Sequence, residues 1–285
     1  MPDIEIWGHR GARGLFPENT LAGIQGALAL GIDGVEIDIG LTADGVPVLC
    51  HDPRLSPDIA RDPSGAWVEP PGPLLRALPA TALARYDVGR LRPGSATRAA
   101  FPRQAPRDGA RVPALAEVLA LRAPLIIELK TLPDRPAETA APAAMAASVA
   151  AAIRAAGAER TTVVESFDWR GPRLVRRLLP ELRLAWLTRA ETVAAAPLWW
   201  DGADPSAFGG SVPRAVAAAG RLGDAWAPDW ATLAQDQVKE AHELGLRVIA
   251  WTVNDPAAMV RLAAWGVDAL ITDYPDLALA TVRGG

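Results

Sequence analysis

Two of the chain's three histidines stand beside other chemically capable side chains: His9 is followed by Arg10, and His51 by Asp52. Each of these pairs closes a short β-rich segment. Glu36 and Asp38 lie two apart in Val-Glu-Ile-Asp-Ile, so on a strand both carboxyls point to one face. Glu128 and Lys130 repeat that spacing at the end of another apolar segment. Acids held close together repel unless a cation neutralises them. Three carboxylates from two strands, with no cysteine among them, suit a hard divalent ion such as Mg2+ or Ca2+ better than a soft one. Even with that ion the site keeps net negative charge, which Arg10 and Lys130 are placed to offset. A guanidinium also presents two parallel donors to phosphate oxygens. Two imidazoles titrating near neutrality provide one general base and one general acid. Joined, these parts describe metal-assisted cleavage of a phosphodiester.

Taken singly, each part has an ordinary explanation. A strand-end histidine often only packs, and an acid pair can be a solvated strand face or an arginine's partner. Asn19 and Thr20 read as helix caps, and His242 as a solvated residue in mid-helix. The arginines between positions 54 and 111 read as solvated loop charges. Trp199, Trp200, Trp226, Trp230 and Trp251 read as core or pocket wall.

The elements that must bring these groups together alternate between strand and helix. Residues 4–8, 34–39, 125–129, 161–164, 182–187, 247–253 and 267–272 are strand-like, and residues 225–227 are a weaker candidate for the sixth strand. Between them lie helical patterns: residues 19–30, an alanine-rich stretch stopping at Gly157, residues 174–179, and a segment opened by Asp255-Pro256. Thr232 and Gln235 have capping-box spacing ahead of a helix that stops at Gly245. Continuous apolar strands alternating with helices imply a parallel sheet covered on both faces. Eight such units close a (β/α)8 barrel, in which strand-end residues meet around one mouth. Residues 54–111, rich in Pro, Gly and Arg, read as an insertion after the second strand without a core of its own. Residues 198–213 read as a long loop. The whole chain, 1–285, is expected to be a single barrel domain of the usual size for that fold.

Composition narrows the partners. A net charge of −4 gives no electrostatic case for nucleic acid. The single cysteine, Cys50, excludes an internal disulfide framework and a cysteine-based zinc site. The amino terminus lacks a basic and an apolar signal region, and no apolar run reaches the roughly 18 residues of a membrane span. A cytoplasmic protein without stable membrane insertion is expected. Its oligomeric state is not written in the sequence.

The motifs also occur in a particular order. Gly8-His-Arg-Gly-Ala12, Pro17-Glu-Asn-Thr20, Glu36-Ile-Asp38, Leu41-Thr-Ala-Asp-Gly45 and His51-Asp52 closely resemble blocks of the glycerophosphodiester phosphodiesterase family. Ile127-Glu-Leu-Lys130, Ser166-Phe-Asp168 and Trp251-Thr-Val-Asn254 follow in the same order. The resemblance implies a (β/α)8 TIM barrel with an insertion after the second strand. It implies that Glu36, Asp38 and Glu128 ligate the metal, that His9 and His51 are the acid–base pair, and that Arg10 holds the phosphate beside Lys130. Glu18, Asn19 and Trp251 fall in matched motifs as supporting residues. The implied reaction is hydrolysis of a small glycerophosphodiester to sn-glycerol 3-phosphate and an alcohol, in which the neighbouring glycerol hydroxyl attacks to give a cyclic phosphate that water later opens. Glu165, just before Ser166, has no counterpart expectation; as a charged group at a strand end it could touch the mouth.

Three rivals follow. A lysophospholipase D needs a wider apolar groove, for which Trp199, Trp200 and the insertion are the candidates. A non-catalytic phosphodiester-binding barrel would dispense with the histidines or the carboxylates. An aldol-type barrel would use Lys130 as a Schiff base, which its acidic neighbours disfavour by raising its pKa.

Overall fold

Strands β1 (Glu5–Gly8), β2 (Gly34–Leu41), β4 (Leu125–Leu129), β5 (Thr162–Ser166), β6 (Arg183–Thr188), β7 (Ala225–Pro228), β8 (Arg247–Ala250) and β9 (Ala269–Thr272) run parallel in a computed structural model that describes residues 4–284. Trp7 of β1 pairs with Gly34 of β2 on one side and with Ile271 of β9 on the other, so the sheet closes on itself. The result is a (β/α)8 barrel. Residues 225–228, the weakest strand in the sequence pattern, complete it as the sixth barrel strand. A short strand β3 (Pro47–Leu49) lies antiparallel on β2, with Leu49 opposite Ile39.

Every residue of β2 is buried, as expected of a parallel strand covered on both faces. Side chains fill the barrel interior: Trp7, Ile126, Val163, Leu187, Ile249 and Ile271 pack there as one cluster. A second and larger core lies between the strands and the helices. Helix Pro142–Ala156 contributes Met145, Val149 and Ile153, four apart on one face, and ends where Gly157 turns left-handed at φ 61°. Helix Pro256–Ala264 starts as its sequence indicates, with the Asp255 carboxylate accepting from the Ala258 N–H.

The structure corrects four expectations. Helix Gln235–Glu243 opens at Ala234 without a reciprocal capping box: the Gln237 side chain accepts from the Ala234 N–H at 3.0 Å, and the methyl of Ala234 returns no bond, so Thr232 and Gln235 do not form the cap. Asp229 accepts from the Ala231 N–H and folds Trp230–Thr232 into a 3-10 turn, which takes Thr232 out of the cap position. Residues 198–213 are not a long loop; they contain the end of helix Ala196–Trp199, turn Pro205–Phe208 and the start of helix Val212–Ala219. The insertion has a core of its own. Leu55, Ala60, Val68, Leu75, Leu83 and Val88 pack together and against Val48 of β3. Its arginines are not all solvated, since Arg61 bridges Asp87 at 2.7 Å and Asp108 at 2.6 Å.

Candidate active site

The carboxyl ends of β1, β2, β4, β5, β6, β8 and β9 and the residues after β3 converge on one cavity of about 220 Å³. His9, Arg10, Glu36, His51, Glu128, Lys130 and Trp251 all line it, so residues separated by more than two hundred positions share one mouth.

His9 is held by its backbone N–H, which donates to the Thr272 carbonyl at 2.8 Å, and by its ring. Its Nδ1 lies 2.6 Å from Asp273 Oδ1. Asp273 is itself fixed: Arg13 Nε donates to Oδ1 at 2.8 Å and Asn254 Nδ2 donates to Oδ2 at 2.7 Å. Burial alone would push the Asp273 carboxyl up, but His9 and Arg13 hold it far below the usual carboxylate range. An ionised Asp273 fixes the proton on His9 Nδ1, leaving Nε2 as the basic nitrogen. Nε2 faces the acids, 3.9 Å from Glu36 Oε2. Burial lowers the His9 pKa, and Asp273 opposes that shift.

Arg10 adopts a left-handed backbone at φ 53°, an uncommon conformation for a residue with a Cβ, found where surrounding contacts over-determine the chain. Its N–H donates to Glu36 Oε2 at 3.0 Å, its Nη1 to Glu18 Oε1 at 2.9 Å, and its Nε lies 3.2 Å from Asp38 Oδ2. Glu18 therefore aims the guanidinium. Asn19, also left-handed at φ 52°, is not a helix cap. Its Nδ2 donates to Asp38 Oδ2 at 2.8 Å, and its Oδ1 accepts from the Asp38 N–H. The chain doubles back so that the Asn19 N–H reaches the Arg10 carbonyl, and Thr20 alone caps helix Leu21–Leu28.

Glu36, Asp38 and Glu128 each bring one oxygen within 4.8 Å of the others, all three residues being buried. Burial, with repulsion from Asp38 and Glu165, raises the Glu36 carboxyl well above its usual range. Burial also raises Glu128, against the pull of Lys130. Asp38 goes the other way: despite burial, Lys130 and Arg10 hold it well below normal. Lys130 Nζ bridges the cluster, 2.8 Å from Asp38 Oδ1 and 2.6 Å from Glu128 Oε2. It is buried, yet these two acids raise its pKa and keep it charged, which removes the Schiff-base role. Glu36 Oε1 is buried with no hydrogen-bond partner. Three buried carboxylates with an unpartnered oxygen among them fit the donor set that a divalent cation requires.

His51 reaches the mouth from beyond β3. Its Nδ1 lies 2.8 Å from Asp52 Oδ1, and burial with nearby Lys130 and Arg10 lowers its pKa. Trp251 forms the apolar wall, meeting Phe167 edge-to-face with centroids 5.4 Å apart. Trp199 and Trp200 do not belong to the mouth. They sit in the outer core, where Trp200 stacks on Trp169 at 4.2 Å.

Sequence reasoning missed Asp273, Arg13 and the part played by Asn254. The signal was present in Thr-Asp-Tyr-Pro at the end of the last strand, in the same strand-end position that singled out His9.

Comparison with known proteins agrees with this geometry. The model of the glycerophosphoryl diester phosphodiesterase family matches residues 9–277. A Bacillus subtilis glycerophosphodiester phosphodiesterase is 28% identical, covering 94% of this chain and 83% of its own. A crystal structure from Silicibacter pomeroyi, described under the same family name, is 36% identical, covers 99% of this chain and 93% of its own, and superposes with a TM-score of 0.88. An Oleispira antarctica phosphodiesterase, solved in complex with the product sn-glycerol-3-phosphate, shares the fold at 23% identity and a TM-score of 0.70, over 98% of this chain and 96% of that one. A match spanning residues 9–277 takes in every strand-end residue of the mouth, from His9 to Asp273, and the chain belongs to the glycerophosphoryl diester phosphodiesterase family.

Proposed function

We propose that His9 and His51 are the acid–base pair of a glycerophosphodiester hydrolysis, run over a Mg2+ or Ca2+ ion held by Glu36, Asp38 and Glu128. The products are sn-glycerol 3-phosphate and an alcohol. The observation that carries this reading is the placement of two imidazoles on one cavity with a buried carboxylate triad. Each imidazole has Nδ1 engaged by an aspartate.

When bound, the divalent cation supplies Lewis-acid stabilisation of charge on a phosphoryl oxygen. The rest is done by the chain. Arg10 and Lys130 bring positive charge to the phosphate, and Glu18, Asn19 and the acids keep both cations in place. His9, braced by Asp273, takes the proton of the attacking hydroxyl on Nε2. His51 gives its proton to the departing alkoxide as the P–O bond breaks, which leaves the glycerol as a cyclic phosphate. That assignment follows from position: His51 also lines a second cavity running into the insertion beside Leu55, Ile59 and Val88, which receives the alcohol. A water that gives its proton to the now neutral His51 then opens the ring to sn-glycerol 3-phosphate, while His9 returns its proton to the glycerol oxygen.

The lysophospholipase D reading is not favoured, because Trp199 and Trp200 are sealed in the outer core and the insertion offers beside Leu55, Ile59 and Val88 only a cavity of about 40 Å³, too small for an acyl chain. A non-catalytic barrel is not favoured either, because His9, His51 and all three carboxylates are present and assembled. No helix among the described residues is long and apolar enough to cross a membrane. The setting this reading carries is a cytoplasmic single-domain enzyme of glycerol and phospholipid metabolism, and the free thiol of Cys50 is compatible with a reducing compartment. The test is release of sn-glycerol 3-phosphate from glycerophosphocholine and glycerophosphoethanolamine, with lysophosphatidylcholine alongside. Activity should vanish with chelator and return with Mg2+ or Ca2+. Full turnover by metal-free protein, or turnover of the lysolipid alone, refutes the reading.

A further inference from the structure

One buried acid at the mouth has no task in the reaction above. Glu165 is 2% exposed, lines the same cavity as both histidines, and its Oε2 is buried with no hydrogen-bond partner. It stands on β5 level with Glu128 of β4, which in turn stands level with Asp38 of β2. Asp38 and Glu128 are both bridged by Lys130, whereas no cation or N–H reaches Glu165 Oε2. Leaving a buried carboxylate oxygen without a donor is costly, and sites that keep one keep it for a ligand.

The ligand's chemistry can be read from what it must offer. Resting on the function proposed above, the substrate's phosphodiester group is ionised and has no proton to donate, so the donors of its glycerol half are its hydroxyls. The hydroxyl beside the ester is required at the imidazoles, near β1. From there the row of acids runs away through β2 and β4 to Glu165 on β5, one strand beyond the phosphate-facing group. Phe167 follows two residues after Glu165 and, with Trp251, gives the carbon chain an apolar wall. We propose that Glu165 accepts a hydrogen bond from the terminal hydroxyl of the glycerol moiety and so selects a three-carbon polyol as the esterified group.

The experiment is a two-by-two comparison of kcat/KM. The substrates are glycerophosphocholine and the phosphocholine diester of propane-1,2-diol, which keeps the hydroxyl beside the ester and lacks the terminal one. The proteins are the wild type and Glu165→Leu, with Glu165→Gln as an isosteric third that retains an oxygen acceptor. In the wild type, loss of the terminal hydroxyl should lower kcat/KM about 10- to 100-fold, the range expected when a buried acceptor is left without its donor. In Glu165→Leu the two substrates should differ by less than about 3-fold, and Glu165→Gln should restore part of the discrimination. An equal penalty in the wild type and both variants overturns the assignment. So does a loss of Mg2+ or Ca2+ affinity in Glu165→Gln, followed by tryptophan fluorescence, because Glu165 would then serve the metal. A wild type that cleaves both diesters without discrimination sinks only the role of Glu165; one that cleaves neither sinks the phosphodiesterase reading as well.

Discussion

His9 Nδ1 and Asp273 Oδ1 stand 2.6 Å apart across 264 positions of sequence, one at the end of the first barrel strand and the other just after the last. Asp273 also receives Arg13 and Asn254, so the imidazole is turned by a residue that is itself immobilised from two further directions.

Replacing Asp273 by Asn keeps the shape and removes the charge. His9 loses the interaction that opposes the lowering of its pKa by burial, so its pKa falls further. Turnover should drop about 10²- to 10⁴-fold. The acidic limb of the kcat/KM profile against pH should move to lower pH. A limb that stays in place, or moves up, contradicts the arrangement.

His51→Ala should leave metal affinity and thermal stability close to wild type, because His51 makes its one side-chain bond to exposed Asp52. Turnover should fall by about 10²- to 10⁴-fold. An alcohol with a much lower pKa as leaving group should recover part of the loss, as it needs less proton donation. A variant as active as the wild type removes His51 from the mechanism.

Glu165 links stability to pH in the metal-free protein. Burial and the Glu128 charge hold its carboxyl well above the usual range. The folded state therefore binds the extra proton, and its stability falls as pH rises from the ordinary carboxylate pKa, near 4, toward the raised value. Glu165→Gln abolishes that penalty. The variant and wild type should melt together near pH 4, and the variant should melt a few degrees higher at neutral pH, as roughly 1–2 kcal/mol gives in a chain of this length. Melting curves that diverge instead on acidification would falsify this account.

Gly8 precedes His9, and a Cβ there would lie 1.8 Å from the Gly11 carbonyl oxygen. That oxygen belongs to the turn carrying His9 and Arg10, and the Gly11 N–H donates to the Glu36 carbonyl. Gly8→Ala should cost roughly 3 kcal/mol or more and lose activity with it. Denaturant midpoints compared with Gly45→Ala, where nothing lies within 4 Å but φ is positive, separate the clash from backbone strain alone.

Cys50, next to His51, should behave as an unreactive thiol. Burial, with the charges of Asp52 and Asp38, pushes it up to about 12, so almost no thiolate exists at pH 8. Native protein should resist iodoacetamide for hours and react promptly in denaturant; rapid labelling of the folded enzyme excludes this environment.

How much of this was legible depends on the range of the forces involved. His9, Glu36, Asp38, Glu128 and Lys130 announce themselves because strand periodicity and strand-end position are local properties, and the barrel converts both into convergence on one mouth. Asp273 was equally well placed, but its role depends on closure between β1 and β9, which no local pattern reports. Asn19 illustrates the opposite failure. It has a capping residue's chemistry and stands beside the real cap, and only the fold-back that aims it at Asp38 distinguishes the two uses. The insertion hid its core for a third reason. Leu55, Val68, Leu83 and Val88 come from turns and short bridges, so their burial has no period to detect.

The closure of β1 on β9 also has a consequence for biosynthesis. A ribosome delivers His9 264 residues before Asp273, and a nascent chain that already holds Glu36, Asp38 and Glu128 still lacks the residue that turns the first imidazole. Until β9 pairs with β1, a nascent chain carries its acids and both histidines with no Asp273 to turn His9. On the mechanism proposed above, turnover should therefore begin only when that strand docks.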